Sequence, residues 1–204
     1  MRYLYDVRTW TIDEPGPRSY VIHDDGEVLA NVARVPIRRL GDAMMPYTNP
    51  HENYDESRVV VCATAPDGTR YFYVDRVRVM AGPAPALVVA ANGVDRVGTV
   101  AVRTGGLGNL FELLTGGSGG GFGLYDARGT VMAGLAGPGL RNRGAPGTIT
   151  DPSDRPIGGY RTTISPYSPR RRTYTVELTQ HPPEPAHTLI LASLIAVELM
   201  TPQL

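Results

Sequence analysis

Alternation with a period of two dominates the chain. In RRTYTVELTQ, Tyr174, Val176 and Leu178 alternate with Thr173, Thr175, Glu177 and Thr179, the pattern of a strand with one buried and one wet face. YFYVDRVRVM sets Val77 and Val79 against Arg76 and Arg78, and predicts that the valines face inward. SRVVVCATA and PALVVAA are short β-branched runs bounded by turn residues. Between apolar runs stand Asp25-Gly26, Asp67-Gly68, Asn92-Gly93 and, after Asp126, Arg128-Gly129. Such pairs suit the positive φ angles of tight hairpins. Four hairpins of one style predict a meandering antiparallel sheet, closed as a barrel or stacked as a sandwich.

Three stretches break the alternation. Residues 104–121 form a Gly-rich connector between two halves, with a short helical segment from Leu110 to Leu114. Met44 to Ser57 reads as a long loop, and the Pro- and Gly-rich stretch from Gly137 to Arg172 as loops around one or two short strands.

The end of the chain changes period. Residues 185–200 predict a helix, with Pro185 suited to its first turn and Pro202 stopping it. Sixteen residues span roughly 24 Å, short of the ~30 Å bilayer core, and Glu198 interrupts the run. At 100° per residue, Leu189, Ile190, Leu191, Leu194, Ile195, Val197 and Leu199 point in nearly all directions, leaving only a small-residue stripe of Ala192, Ser193 and Ala196. A helix apolar all round is buried on every side. In a chain made mostly of strands, its place is the inside of a closed β-barrel.

Composition narrows the picture. With 204 residues, 42% of them hydrophobic and 20% charged, residues 1–204 are read as one globular domain. Formal net charge is zero, which argues against a nucleic-acid partner. All the Lys+Arg content is arginine; with the many Gly, Pro and Ala residues this fits a GC-rich bacterial or phage genome. The single cysteine, Cys62, lies in a strand-like run and reads as a buried, inert thiol; it excludes an internal disulfide. The first residues lack an apolar signal core, so a cytoplasmic location is expected.

YVIHDDGEVLANV, ALVVAANGVDRVGTVAV and FGLYDARGTVMAGL are strand, Gly turn, strand units, and YTVELTQHPPEPAHTLILASLIAVELM is a last strand, a loop and an apolar helix with an acid near its end. These islands, spread over about residues 18 to 200, resemble the Tubby-like superfamily, which includes the Tubby C-terminal domain, the LURP-one-related proteins and the phospholipid scramblases. The resemblance implies a closed antiparallel β-barrel of about twelve strands around a buried C-terminal helix, and lipid binding as one activity. No acidic calcium-binding segment adjoins the helix and no Cys-rich palmitoylation stretch is present. The resemblance therefore does not extend to calcium-activated scrambling.

Candidate chemistry is sparse. Gly116 to Gly120 matches a nucleophile elbow around Ser118, but LFELLT precedes it instead of a strand, and the linker reading is preferred. His51 opens HENYD, where a zinc helix would need a histidine in place of Asp55. His181 and His187 lack a third ligand nearby and read as surface or capping residues. RTGGLGN has neither the glycine order nor the lysine of a phosphate loop. Arg170, Arg171 and Arg172, just before a strand, and more weakly Arg38 and Arg39, are the candidate grip on a phosphate or lipid headgroup; otherwise they are solubilising edge charges. Glu198 is a candidate buried acid, expected to pair with an arginine from a strand near the barrel mouth. The functional expectation is a non-enzymatic binding module for an anionic lipid headgroup or other anionic ligand, peripheral to a membrane, without cofactor or metal. A protein-interaction scaffold and a serine hydrolase using Ser118 are the alternatives.

Overall fold

The four Gly turns do what their residues allow. Gly26, Gly68, Gly93 and Gly129 adopt φ of 82°, 91°, 74° and 85°, and Asp25 adds 47° ahead of Gly26. Each joins two antiparallel strands. A computed structural model describes residues 2–35, 58–77, 84–103, 121–137 and 144–200, with the side chains of residues 168–170 excepted.

Twelve strands follow a short 3-10 turn at Leu4–Asp6: β1 (Thr9–Gly16), β2 (Ser19–Asp24), β3 (Glu27–Arg34), β4 (Arg58–Thr64), β5 (Arg70–Val77), β6 (Ala86–Ala90), β7 (Arg96–Val102), β8 (Phe122–Asp126), β9 (Val131–Ala136), β10 (Pro146–Thr150), β11 (Pro156–Ser165) and β12 (Ser168–Leu178). Each pairs antiparallel with its neighbours in sequence, and β1 pairs with β12, so the sheet closes. Closure removes the unpaired edges that an open sheet exposes. Helix α1 (Ala186–Met200) follows β12. It starts at the end of the barrel that carries the Gly turns and finishes at the opposite end, where β1 turns into β2 and β11 into β12. That second end is called the far rim below.

Every α1 residue except Glu198 is buried. The inward strand positions form one core with it, including Trp10, Ile12, Ile22, Val32, Phe72, Val74, Val88, Leu124, Leu135 and Val176. The helix backbone lies nearest β5 to β9. Those strands carry small inward residues, Ala86, Gly98 and Ala133 among them, whereas Trp10, Tyr20, Tyr160 and Tyr174 fill the other side. At Gly98 an added Cβ would stand 2.0 Å from the Tyr125 carbonyl oxygen and 3.0 Å from Leu189, so glycine lets helix and sheet approach.

Three elements depart from the sequence expectation. The stretch from Gly137 to Arg172 holds β10, β11 and the start of β12 instead of one or two short strands. Its glycines serve close packing: a Cβ on Gly147 would fall 1.9 Å from the Tyr160 ring, which is buried against it. In β5 the inward phase is Phe72, Val74 and Arg76, while Val77 is exposed. The expected valine face is reversed there because Arg76 Nε donates to the Leu199 carbonyl at 2.8 Å, and an open helix C-terminus needs such donors. The helix begins at Ala186, one residue after a cis Glu184-Pro185 bond.

Candidate anion-binding rim

Alternation along β1, β2, β5 and β12 places Glu14, Tyr20, Arg76, Arg172 and Tyr174 in the inward phase at the far rim, and the β1–β2 turn adds Arg18 at φ 56°. These side chains gather around the end of α1. Arg18 Nη1 donates to the Glu198 carbonyl at 3.1 Å, beside the Arg76 bond to Leu199. Cations there also oppose the negative end of the helix dipole. The Glu198 carboxylate accepts from Tyr174 Oη and lies 3.5 Å from Arg172 Nη1. The expected pairing of Glu198 with a strand arginine near the barrel mouth is present, and that arginine is Arg172.

Burial raises the Tyr174 phenol well above its ordinary value, and the Glu198 charge adds to this. Burial likewise raises Glu14, again helped by Glu198, against the hydrogen bond from the Arg18 N–H and the charges of Arg171 and Arg18. Since its folded pKa exceeds the unfolded value of 4.5, Glu14 contributes stability below that value, and the contribution is lost as pH rises through the folded pKa. Glu14→Gln keeps an acceptor for the Arg18 N–H and removes the charge. Its melting temperature is expected to exceed the native one at about pH 8 and to converge with it towards about pH 4; calorimetry across that range checks this.

Arg171 donates to the Pro15 carbonyl and ties β12 to the end of β1. Four arginines (Arg18, Arg76, Arg171, Arg172) and two glutamates (Glu14, Glu198) thus gather around α1's end, Arg18 and Arg76 on its last carbonyls, Arg171 on the Pro15 carbonyl and Arg172 beside the Glu198 carboxylate. Arg170 belongs to β12, with its side chain outside the described part. Arg38, Arg39, the expected loop from Met44 to Ser57 with His51, the expected helical segment from Leu110 to Leu114, and Ser118 with its flanking glycines lie outside the described residues.

Two further polar groups occupy the barrel's outer face. Arg58 and Asp75 form a two-pronged ion pair, Nε to Oδ1 at 2.9 Å and Nη2 to Oδ2 at 2.6 Å, with both side chains 5% exposed. Asp13 pairs with His23 Nε2 at 2.8 Å and accepts from Thr173 Oγ1. Here the hydroxyl proton goes to the carboxylate and not to the imidazole, so no activated nucleophile results. Cys62 is buried with Val60, Tyr73 and Val89, as expected of an inert thiol.

At the opposite end an open groove of about 430 Å³ is lined by Tyr5, Tyr71, Arg96, Asp126, Arg128 and Glu184, among others. Its named charges balance. His187 beside it is buried and not a surface residue; its ring meets those of Tyr5 and His181 edge-on at 5.7 and 5.6 Å. Burial lowers its pKa. Among the described residues no group of three His, Cys, Asp or Glu side chains is arranged for a metal, and no helix is long and apolar enough to cross a membrane.

The rim is only partly legible in the sequence. Arg172 and Glu198 stand out there; Glu14, Arg18 and Arg76 do not, since they come from separate elements with no common spacing. Positive φ at Arg18 is the kind of feature that only the fold reveals. No family model, curated protein or solved structure matches this chain.

Proposed function

We propose that the protein is a non-enzymatic binding module of the Tubby-like, scramblase and LURP-one-related type, and that its far rim holds an anionic ligand such as a lipid headgroup. The closed twelve-stranded barrel around a C-terminal helix agrees with what the resemblance implies. The observation that carries the ligand reading is the gathering of four arginines, with only two glutamates among them, around the end of α1. Guanidinium groups suit phosphate because their forked N–H donors match its oxygens. The barrel interior, filled by α1 and inward side chains, favours recognition at the rim over an internal ligand chamber.

Flotation with phosphatidylcholine vesicles, with and without phosphatidylserine, tests this. The native protein is expected to float only with the anionic vesicles and to be released by salt, as screening demands. The Arg170/Arg171/Arg172→Ala triple variant is expected to lose most of that binding. Arg171 and Arg172 also hold neighbouring elements, so its melting curve is recorded alongside. If the native protein recognises neither anionic vesicles at low salt nor a soluble polyanion such as inositol hexakisphosphate, the reading is wrong.

A further inference from the structure

β11 and β12 make the longest hairpin of the barrel, and on the β10 side it outruns its neighbour. The last pair between β12 and β1 is Thr173 with Asp13. On the other side, the β10 ladder begins with Pro146 against Arg161, and Gly144 N–H reaches the Thr162 carbonyl just beyond. From Thr163 to Arg172, among the described residues, the two strands pair only with each other. At about 3.3 Å per residue, the three residues to Ser165 carry the tip roughly 10 Å past β10, while the end of β1 flanks β12 on the other side, where Arg171 donates to the Pro15 carbonyl.

The end of this hairpin displays two large apolar side chains next to a run of arginines. Tyr160 and Thr162 point into the barrel and are 3% and 0% exposed. Ile164 continues the same phase at the rim, and it is 53% exposed. Its cross-strand partner is Arg172. Tyr167 in the turn is 59% exposed, and its N–H is held by Ser165 Oγ at 3.2 Å. A half-exposed isoleucine and tyrosine thus lead, with residues Arg170 to Arg172 directly behind them in β12. This is the order of chemistry across a leaflet surface. Tyrosine rings sit at the headgroup level, an aliphatic side chain gains by leaving water, and arginines meet the phosphates.

We propose that the β11–β12 hairpin is a membrane-contacting finger. It lays Tyr167 and Ile164 into the interfacial layer of an anionic bilayer while the rim arginines neutralise headgroups. The proposal rests on the anionic-ligand reading of the rim and adds to it that the ligand is presented by a bilayer, with this hairpin as the contact. The charges behind the tip favour this occupant over a second copy of the chain, whose matching hairpin would bring the same arginines against them.

Tyr167→Trp supplies the probe, since the single native tryptophan, Trp10, is 1% exposed inside the barrel. On phosphatidylserine-containing vesicles the added indole's emission is expected to shift to the blue and to be quenched by brominated lipid, with Trp10 in the native protein as background. Tyr167→Ser with Ile164→Ser is expected to weaken vesicle binding by about tenfold or more, in line with burial of two such side chains, without changing the melting temperature or inositol hexakisphosphate binding. A Tyr167→Trp variant that floats with vesicles while its added indole keeps an aqueous emission overturns the finger and leaves the rim reading standing. So does binding of the soluble polyanion without flotation, or a dimer that the double Ser variant converts to monomer. Loss of both vesicle and polyanion binding overturns the rim reading as well.

Discussion

Removing residues 187–204 is expected to abolish the cooperative unfolding transition and leave a chain that binds hydrophobic dye at room temperature. Leu189, Ile190, Leu191, Leu194, Ile195, Val197, Leu199 and Met200 are all buried in the barrel. At about 1.5–3 kcal/mol for each side chain withdrawn from water, their loss is on the order of 12–24 kcal/mol, as large as the ~5–15 kcal/mol that holds a typical domain folded. The inward faces of the strands would in addition be left around a void. A helix that served as an anchor outside the fold would give the opposite result: the shortened chain would keep its transition and gain solubility. Leu191→Ala is the graded version, expected to cost about 2–5 kcal/mol by urea unfolding because its site is enclosed on all sides. A sharp thermal transition in the truncated protein would refute the barrel-core role of α1.

The parts that can be read from the chain are those in which local chemistry and the final fold agree. The Gly turns carry their own conformational requirement, so the hairpins at Gly26, Gly68, Gly93 and Gly129 are legible. So is α1, because a helix without a polar face has few places to go. β10 and β11 are not, since Pro146, Gly147, Gly158 and Gly159 look like loop residues. The fold uses glycine there for close approach, and the Tyr160 ring supplies the bulk that Gly147 lacks. Arg76 shows the limit of periodicity in another way. Its polarity suggests solvent, whereas the open carbonyls at the end of α1 offer a buried partner. The rim follows the same logic. Arg172 and Glu198 stand out as part of a cluster and as a lone acid in an apolar helix. Glu14, Arg18 and Arg76 are separated from them by about a hundred residues or more and join them at the end of α1 only when the sheet closes.

The Arg58–Asp75 pair makes the second large prediction. Val59 and Val61 on β4, and Phe72 and Val74 on β5, face the core, so alternation sends Arg58 and Asp75 to the outer face. There both are nonetheless buried. Taking two charges out of water is costly, and only good geometry offsets it; two short charge-assisted bonds meet that condition. Asp75→Ala leaves the Arg58 guanidinium buried without its counter-ion and is expected to destabilise the fold by about 3–5 kcal/mol. Replacing both, as Arg58→Met with Asp75→Leu, is expected to recover most of the loss, because two apolar side chains of similar bulk need no partner. Urea unfolding of the two single variants and the double variant measures the coupling. Anion binding separates structure from function. Asp75 adjoins Arg76 in β5, but the pair faces away from α1, so the double variant should bind anionic vesicles as the native protein does. A loss of less than about 1 kcal/mol in Asp75→Ala would mean that water or another group takes the carboxylate's place. Vesicle binding that fails in a stable double variant would make Arg58 part of the ligand site.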